Sequence, residues 1–210
     1  MLISDEKKFI FCHIPKNAGI SICSSLKKFS ANGKWKVGDS LGISSRFPPT
    51  THLLSAHATM EELYSFTSNL FEGYYKFGVV RNSWDRLVSF YHYSGESHRR
   101  TFASFIDRTC EGIPQHNINR VRAQKCYLFG KDGNILVDKI CSFDNLEKDF
   151  GVICEHLKLG DLQLGKKNST IHKPYTDYYE KEPRLIEKVR TSYCEDIELF
   201  GFIYGGGRIR

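Results

Sequence analysis

The chain has 210 residues, of which 40% are hydrophobic and 13% aromatic, and this length and composition are typical of one globular domain with a sizeable core. The net charge of +6 is modest and is not concentrated in one arm; it suits a protein that handles anions, and no basic helix, aromatic platform or finger spacing indicates nucleic-acid binding. No apolar run approaches the roughly 20 residues that span a bilayer, and the short run after Lys8 is cut by Pro15 and is unlike a signal peptide, so we expect a cytoplasmic protein.

Two strand-to-helix units dominate the first half of the chain. The apolar runs over 8–14 and 74–80 have no polar face, which is typical of central strands. A helical spacing of apolar residues begins soon after each run, from about Ile20 and from about Ser83. Asn32 and the glycine after it predict the end of the first helix.

The segment between these units predicts a loop, a short strand and a helix. Residues 34–51 have little periodicity and predict a long surface loop, a kind of segment that is often functional. Residues 53–56 form a short apolar run that leads directly to His57. Thr59 is predicted to cap the helix that follows, with two glutamates in its first turn.

The second half predicts mainly helices. Helical patterns cover 101–109 and 119–129, and a turn at 131–134 precedes a strand over 139–143. Asp144 is predicted to cap a helix that runs to Leu157, and a basic loop follows over 166–175. A last helix is predicted over 183–197, with Gly201 as its end and a frayed tail at 205–207.

Strands alternate with helices along the whole chain, and no repeat or linker divides it. This order predicts a single α/β domain with a central, mainly parallel sheet flanked by helices. Right-handed crossovers would place the loops after 8–14 and 74–80 at the carboxyl edge of that sheet, where open α/β folds bind ligands.

The seven cysteines show no CxxC pair and no interleaved Cys/His pattern. We expect reduced, buried thiols and no metal site, with a disulfide framework or a zinc site as the alternative. The cysteines with apolar neighbours are Cys12, Cys23, Cys126, Cys141 and Cys154.

The loop within HIPKNAGIS, residues 13–21, has the geometry of an anion site. A strand, a tight loop and a helix start present backbone N–H groups and a positive helix end. Lys16 adds a mobile charge, and Gly19 would let the backbone approach an anion. Because Lys16 precedes Gly19, the pattern differs from the GxxxxGK[ST] loop of nucleoside triphosphatases. An ordinary strand-to-helix turn remains the alternative.

A second candidate anchor is VVRNSWDRLVSFY, residues 79–91. Arg81 follows the strand directly and Ser89 lies in the helix, so both could bind a phosphate through charge-assisted bonds. Ser83, Arg86 and Ser89 have a spacing that puts them on one helix face. The alternative is a structural ion pair between Arg81 and Asp85.

The two motifs together resemble those of the sulfotransferases. They are most similar to the carbohydrate group that includes the heparan 2-O and chondroitin 4-O enzymes, sulfotransferase family 2. The similarity continues through residues 137–147, 175–179 and 196–202, and so covers nearly the whole chain. It implies one P-loop-like sulfotransferase domain over residues 1–210.

The resemblance also implies a ligand. In that family the first motif binds the 5′-phosphosulfate end of 3′-phosphoadenosine 5′-phosphosulfate (PAPS), and the second binds its 3′-phosphate. The product would be 3′-phosphoadenosine 5′-phosphate (PAP). The implied binding residues are Lys16, Asn17, Ala18, Gly19, Ile20, Ser21, Arg81 and Ser89.

Catalysis of sulfuryl transfer requires charge stabilisation at the leaving phosphate and a base for the acceptor hydroxyl. Lys16 is the candidate for the first role. His57 is the candidate base, since it follows a short strand and matches the family histidine between the two motifs. A structural role for His57 is the alternative; His52 is a weaker rival, and His13 is expected to be buried beside the loop.

Three positions depart from the family pattern. Threonine is usual where Asn17 and Ile20 stand, and proline is common where Ser83 stands. Ile20 offers only its backbone N–H, whereas the Asn17 amide could still donate to a ligand. An inactive PAPS-binding relative is therefore an alternative.

The acceptor is expected to be a carbohydrate or glycoconjugate hydroxyl. Specificity is expected to reside in 34–51 and 96–122, where several arginines would suit an anionic glycan or would simply be surface charge. Two further functions stay open: a non-catalytic nucleotide-binding module of the same fold, and an ATP-dependent P-loop kinase.

Overall fold

The structure is a computed structural model that describes residues 1–29, 57–67, 72–112, 121–165 and 172–206. It divides into two compact units. We call Met1–Val80 with Cys126–Asn168 the sheet unit, and Arg81–Lys125 with Ser169–Arg210 the helical unit. Several predictions fall outside the described residues: the loop over 34–51, the strand over 53–56, His52, the end of the first helix at Asn32, and most of the basic loop.

The sheet has four strands in the order β1-β2-β3-β4. Strands β2 (Phe9–Cys12), β3 (Tyr75–Val80) and β4 (Lys139–Ser142) are parallel, with Phe11 opposite Phe77 and Phe77 opposite Lys139. Strand β1 (Leu2–Ser4), which the sequence analysis did not predict, pairs with β2 in the antiparallel direction. The prediction of a mixed α/β fold with a mainly parallel sheet is confirmed.

Helices α1 (Gly19–Leu26), α2 (Met60–Thr67) and α6 (Leu146–His156) belong to the sheet unit. The apolar face of α1 packs with the strand phenylalanines and with α6 in one buried core. Each such buried side chain stabilises the fold by about 1.5–3 kcal/mol. The residues of this core include Phe9, Phe11, Ile22, Leu26, Phe77, Phe150 and Ile153.

The start of α2 confirms the predicted cap. The Thr59 hydroxyl accepts a hydrogen bond from the Glu62 N–H at 3.0 Å, and the Glu62 carboxylate accepts one from the Thr59 N–H at 2.8 Å. This reciprocal capping box satisfies two backbone donors that a helix start leaves without intrahelical acceptors. The capping box therefore fixes the backbone at Thr59, two residues after His57.

The helical unit consists of α3 (Ser83–Tyr93), α4 (Phe102–Cys110), α7 (Thr176–Glu180), α8 (Arg184–Ser192) and α9 (Cys194–Phe200). Trp84, Phe105 and Tyr179 are fully buried in it. The indole N–H of Trp84 donates to the Ile186 carbonyl, and the Tyr179 hydroxyl donates to the Trp84 carbonyl, so α3, α7 and α8 are joined by polar as well as apolar contacts.

One predicted helix is mostly wrong. Within 119–129 only α5 (Lys125–Leu128) is helical, and residues 121–124 are irregular. The reason is tertiary: the backbone N–H groups of Gln124 and Lys125 donate to the Asp196 carboxylate at 2.7 and 2.8 Å instead of to a preceding helical turn. Residues 113–120 lie outside the described part of the chain.

The predicted last helix is two helices. Tyr193 has φ −120° and ψ 27°, which separates α8 from α9, and its hydroxyl donates to the Val121 carbonyl. Gly201, with φ 65°, ends α9 as predicted. Asp144 does not cap α6: it lies in a short 3₁₀ turn, Phe143–Asn145, and Asn145 occupies the cap position.

The tail was expected to fray, but residues 203–206 are held in place. The Asn82 amide donates to the carbonyl oxygens of Ile203 and Gly206, at 2.9 and 3.1 Å. The Gly205 N–H donates to the Tyr175 hydroxyl at 2.7 Å. Gly207, the last of the three glycines, is not among the described residues.

No disulfide joins any of the seven cysteines. Cys12, Cys23, Cys141 and Cys154 are buried as expected, whereas Cys126 is exposed, because it lies on the short α5 rather than inside a long amphipathic helix. Among the described residues there is no cluster of three or more His, Cys, Asp or Glu that could hold a metal ion, and no helix long and apolar enough to cross a membrane.

Candidate active site

The loop between β2 and α1 turns sharply through two non-glycine residues with positive φ, Lys16 (70°) and Ala18 (58°). Ala18 is the N-cap of α1 and offers no side-chain cap. A helix start leaves its first N–H groups without intrahelical acceptors, and its dipole favours an anion there. Lys16 is half-buried beside this helix start, so the loop combines a cation with backbone donors.

Asn17 ties this loop to the sheet. Its side-chain amide donates to the Val79 carbonyl on β3 at 2.7 Å, and the residue is only 1% exposed. The sequence analysis considered this amide as a donor to a ligand; in the structure it has a structural partner. The bond is long-range in sequence, and no local pattern indicates it.

Gly19 has a packing role that the sequence did not indicate. A Cβ at this position would lie 1.9 Å from both Cδ2 and Nε2 of the His13 imidazole. Because glycine has no side chain, the His13 ring can occupy the space next to the Gly19 backbone. His13 is 4% exposed, as expected for a residue buried beside the loop.

His57 lies against His13. Its Nδ1 is 3.0 Å from the backbone carbonyl oxygen of His13, and the two ring centroids are 4.5 Å apart in an edge-to-face arrangement. A carbonyl oxygen can only accept, so Nδ1 of His57 carries the proton and donates. In the neutral ring the basic lone pair is then on Nε2.

The His13 imidazole is held neutral by its surroundings. Burial lowers the pKa of His13 well below its ordinary value, and the N-terminal ammonium, His57 and Lys16 act in the same direction. The histidine pair next to the loop therefore contains one ring that does not titrate near neutral pH.

In the helical unit, Arg81 is the residue after the last residue of β3 and is 8% exposed. Its Nε and Nη2 donate to the Asp85 carboxylate at 2.6 and 2.9 Å. The sequence analysis gave this ion pair as the alternative to phosphate binding, and the ion pair is present. It fixes the direction of the guanidinium without excluding a further anion.

Gln124 holds the backbone of Arg81 from both sides. Its Oε1 accepts from the Arg81 N–H at 2.9 Å and its Nε2 donates to the Arg81 carbonyl at 2.8 Å. Asp196 in turn accepts from the Gln124 N–H. Burial raises the pKa of the Asp196 carboxyl, whereas the backbone donors and Arg86 oppose the rise. Sequence reasoning did not connect Gln124 or Asp196 to the motif, because Gln124 contacts Arg81 from a distant position and Asp196 acts through Gln124.

The face of α3 that the sequence predicted is buried in full. Ser83, Arg86 and Ser89 are each at most 3% exposed. Arg86 donates to the Arg122 carbonyl at 2.9 Å and is therefore a structural residue. Ser83 Oγ has no hydrogen-bond partner among the described residues. Asn82 caps α3 by accepting from the Trp84 N–H.

The predicted site residues are thus distributed between the two units. In the sheet unit, the loop with Lys16 and Gly19 meets His57 through His13. In the helical unit, Arg81 and Ser89 are buried on and just before α3. Of the basic loop, only the residues from His172 onward are described; the ring of His172 stacks on that of His92 at 5.5 Å.

Comparison with known proteins gives one match. No curated protein and no solved structure matches the chain at a significant level. A family model described as "Sulfotransferase family" matches residues 1–203, which is nearly the whole chain. The chain belongs to the sulfotransferase family.

Proposed function

We propose that this sulfotransferase moves the sulfuryl group of PAPS to a hydroxyl of a carbohydrate or glycoconjugate. The observation that supports the proposal most directly is the His57 imidazole. Its Nδ1–H is bonded to the His13 carbonyl, which leaves Nε2 as the basic atom, next to a loop that carries a lysine and a helix start.

The loop of the sheet unit is the proposed site for the 5′-phosphosulfate. The backbone N–H groups at the start of α1 and the Lys16 ammonium would neutralise the negative charge that grows on the phosphate as the sulfuryl group leaves. Asn17 contributes through the loop backbone it stabilises, since its amide is bonded to Val79. The proposed residues are Lys16, Asn17, Ala18, Gly19, Ile20 and Ser21.

Arg81 and Ser89 of the helical unit are the proposed ligands of the 3′-phosphate. A guanidinium and a hydroxyl both donate to phosphate oxygens, and the low exposure of the two residues strengthens such bonds. The ion pair with Asp85 and the hold of Gln124 on the backbone fix Arg81 before a ligand arrives. This preorganisation lowers the entropic cost of binding.

His57 is the proposed general base. Its Nε2 would take the proton of the acceptor hydroxyl while the acceptor oxygen forms a bond to sulfur and the bond from sulfur to the bridging phosphate oxygen breaks. The electron pair of that bond goes to the phosphate, where Lys16 stabilises it. The products are a sulfate ester, PAP and a protonated His57, which loses its proton to solvent.

The carbohydrate acceptor rests on the resemblance to the carbohydrate enzymes. Among the arginines that would suit an anionic glycan, Arg100 is paired with Glu96 and Arg99 lies 4.0 Å from the same carboxylate. These two arginines therefore contribute less free positive charge than their number suggests. Residues 34–51 and 113–120 of the proposed acceptor region lie outside the described residues.

The test is transfer of labelled sulfate from PAPS to a panel of glycans, lipids and phenols. We expect His57→Ala to lower turnover by at least about a hundredfold and to leave the affinity for PAP within about twofold, because a general base acts on the acceptor and not on the donor nucleotide. His156→Ala is the matched control, since His156 is an exposed histidine at the end of α6 and lies far in sequence from both motifs and from the proposed acceptor region.

The same assays separate the other functions. Turnover by His57→Ala equal to that of wild type would refute the role of His57. PAP binding without transfer to any acceptor class would indicate the nucleotide-binding module. Transfer of phosphate from ATP that requires Mg²⁺, with no use of PAPS, would indicate the kinase.

A further inference from the structure

The His13 side chain lies against two residues of the proposed site, Gly19 and His57. On one side it fills the space above Gly19, where a Cβ would be 1.9 Å from its ring. On the other side its ring meets that of His57 at 4.5 Å and 65°. The Phe11 ring stacks on it at 5.9 Å. The imidazole is therefore confined by the start of α1, by β2 and by His57.

His13 also holds His57 through its backbone. The carbonyl of His13 directly follows β2 in the chain, and it accepts the Nδ1–H of His57 at 3.0 Å. One hydrogen bond fixes the tautomer of an imidazole but still allows the ring to rotate about that bond. The edge-to-face contact with the His13 ring, at a centroid distance of 4.5 Å, restricts this rotation.

We propose that His13 is a positioning residue for His57: its ring, wedged between Gly19 and the His57 ring, fixes the direction of His57 Nε2. The proposal rests on the proposed function, in which Nε2 is the base. It also connects the donor loop to the base, since the start of α1 and His57 both lie against one buried ring.

The neutral state of the His13 ring suits this role. Besides burial, the N-terminal ammonium of Met1, His57 and the Lys16 ammonium all disfavour a positive charge on this ring and so lower its pKa. A charged ring in this place would oppose protonation of His57 during the reaction. A neutral flat ring supports His57 without competing for the proton.

The experiment compares His13→Ala, His13→Phe and the control His156→Ala with wild type. We expect His13→Ala to lower kcat by about tenfold or more while the KM for PAPS stays within about threefold, since a small misplacement of a catalytic group reduces the rate of chemistry more than donor binding. His13→Phe keeps a neutral flat ring and is expected to retain most of kcat.

A second readout does not depend on activity. The NMR titration of the His57 imidazole, assigned by its absence in His57→Ala, reports the surroundings of that ring. In His13→Ala the neutral ring beside His57 is lost, and we expect the titration midpoint of His57 to differ from that of wild type. In His13→Phe the midpoint is expected to stay near that of wild type.

The outcomes are distinct. Wild-type kcat and a wild-type His57 titration in folded His13→Ala would overturn the proposal, as would a His13→Phe variant that is as slow as His13→Ala. If His13→Ala does not fold, His13→Leu, which fills part of the space without a flat ring, takes its place in the comparison with His13→Phe. If wild type transfers no sulfate from PAPS, the proposed function fails, whereas the titration still shows whether His13 controls the surroundings of His57.

Discussion

The side chain of Gln124 bonds to both polar groups of the Arg81 backbone, with its Oε1 2.9 Å from the Arg81 nitrogen and its Nε2 2.8 Å from the Arg81 oxygen. Both residues are buried, so no water replaces these bonds. The Gln124 amide thus pairs with the N–H and C=O of Arg81 as a neighbouring strand would, at the residue that directly follows β3.

Replacement of Gln124 by leucine is expected to lower the free energy of unfolding by about 2 kcal/mol, since it leaves a buried N–H and a buried C=O unsatisfied. We also expect weaker binding of PAP, because Arg81 loses its fixed position. Chemical denaturation and calorimetric titration measure the two effects. Gln163→Leu, at an exposed position, is the control. Equal stabilities of the two variants would contradict this account of Gln124.

Ser83→Pro is expected to stabilise the protein. Ser83 is the first residue of α3, a position that accepts proline, and Asn82 before it has φ −44° and ψ 126°, which is compatible with a following proline. The change removes a buried hydroxyl without a partner among the described residues and restricts the unfolded chain. We expect a gain of about 1 kcal/mol in the free energy of unfolding.

Ser83→Ala separates the two causes of this gain. It removes the hydroxyl but does not restrict the backbone, so it should give only part of the increase. A Ser83→Pro variant less stable than wild type in the same denaturation experiment would show that the hydroxyl or the N–H of Ser83 has an important partner.

Local signals in the sequence predicted much of the fold. The capping box of Thr59 and Glu62 is contained within four consecutive residues, and the apolar run that forms β3 has no polar face. The left-handed end of α9 at Gly201 is likewise a property of one residue. Such features depend on neighbours in the chain, and sequence patterns report them directly.

The features that were missed depend on distant partners. No long helix forms over 119–129, because Gln124 bonds to Arg81 and to Asp196. These partners are separated from Gln124 by 43 and 72 positions in the sequence. Gly19 was interpreted as a place where the backbone could approach an anion, and nothing in the sequence indicated that a side chain there would also collide with the His13 ring. The tail near Gly206 was expected to fray because nothing near it in sequence indicates the amide of Asn82.

Gly19→Ala and Gly151→Ala form a matched pair with opposite expected effects. The first puts a methyl group into the His13 ring and is expected to lower the free energy of unfolding by about 1–3 kcal/mol. Gly151 lies inside α6 with nothing within 4 Å of an added Cβ, so alanine should stabilise that helix by up to about 1 kcal/mol. Thermal and chemical denaturation measure both; a neutral Gly19→Ala would refute the close packing of His13.

The last prediction concerns acid stability and the ion pairs between α4 and α8. Asp107 on α4 accepts two hydrogen bonds from the Arg184 guanidinium, at 2.9 and 3.0 Å, and one from the Lys188 ammonium at 2.6 Å. The bonds from Arg184 and then Lys188 lower the pKa of Asp107 from 3.8 to about 2. Because the pKa is lower in the folded state, the ion pairs stabilise the protein fully above pH 3.8 and progressively less as the pH falls towards 2.

Asp107→Asn is therefore expected to lower the free energy of unfolding at pH 7 by about 1 kcal/mol, a modest value because Arg184 is more than half exposed and water screens the pair. The difference between variant and wild type should shrink as the pH falls through the range from about 4 to about 2. Urea denaturation at a series of pH values measures it, with Asp161→Asn at an exposed position as the control. A difference that stays constant down to the lowest pH would show that Asp107 stabilises the helix pair by packing and not by its charge.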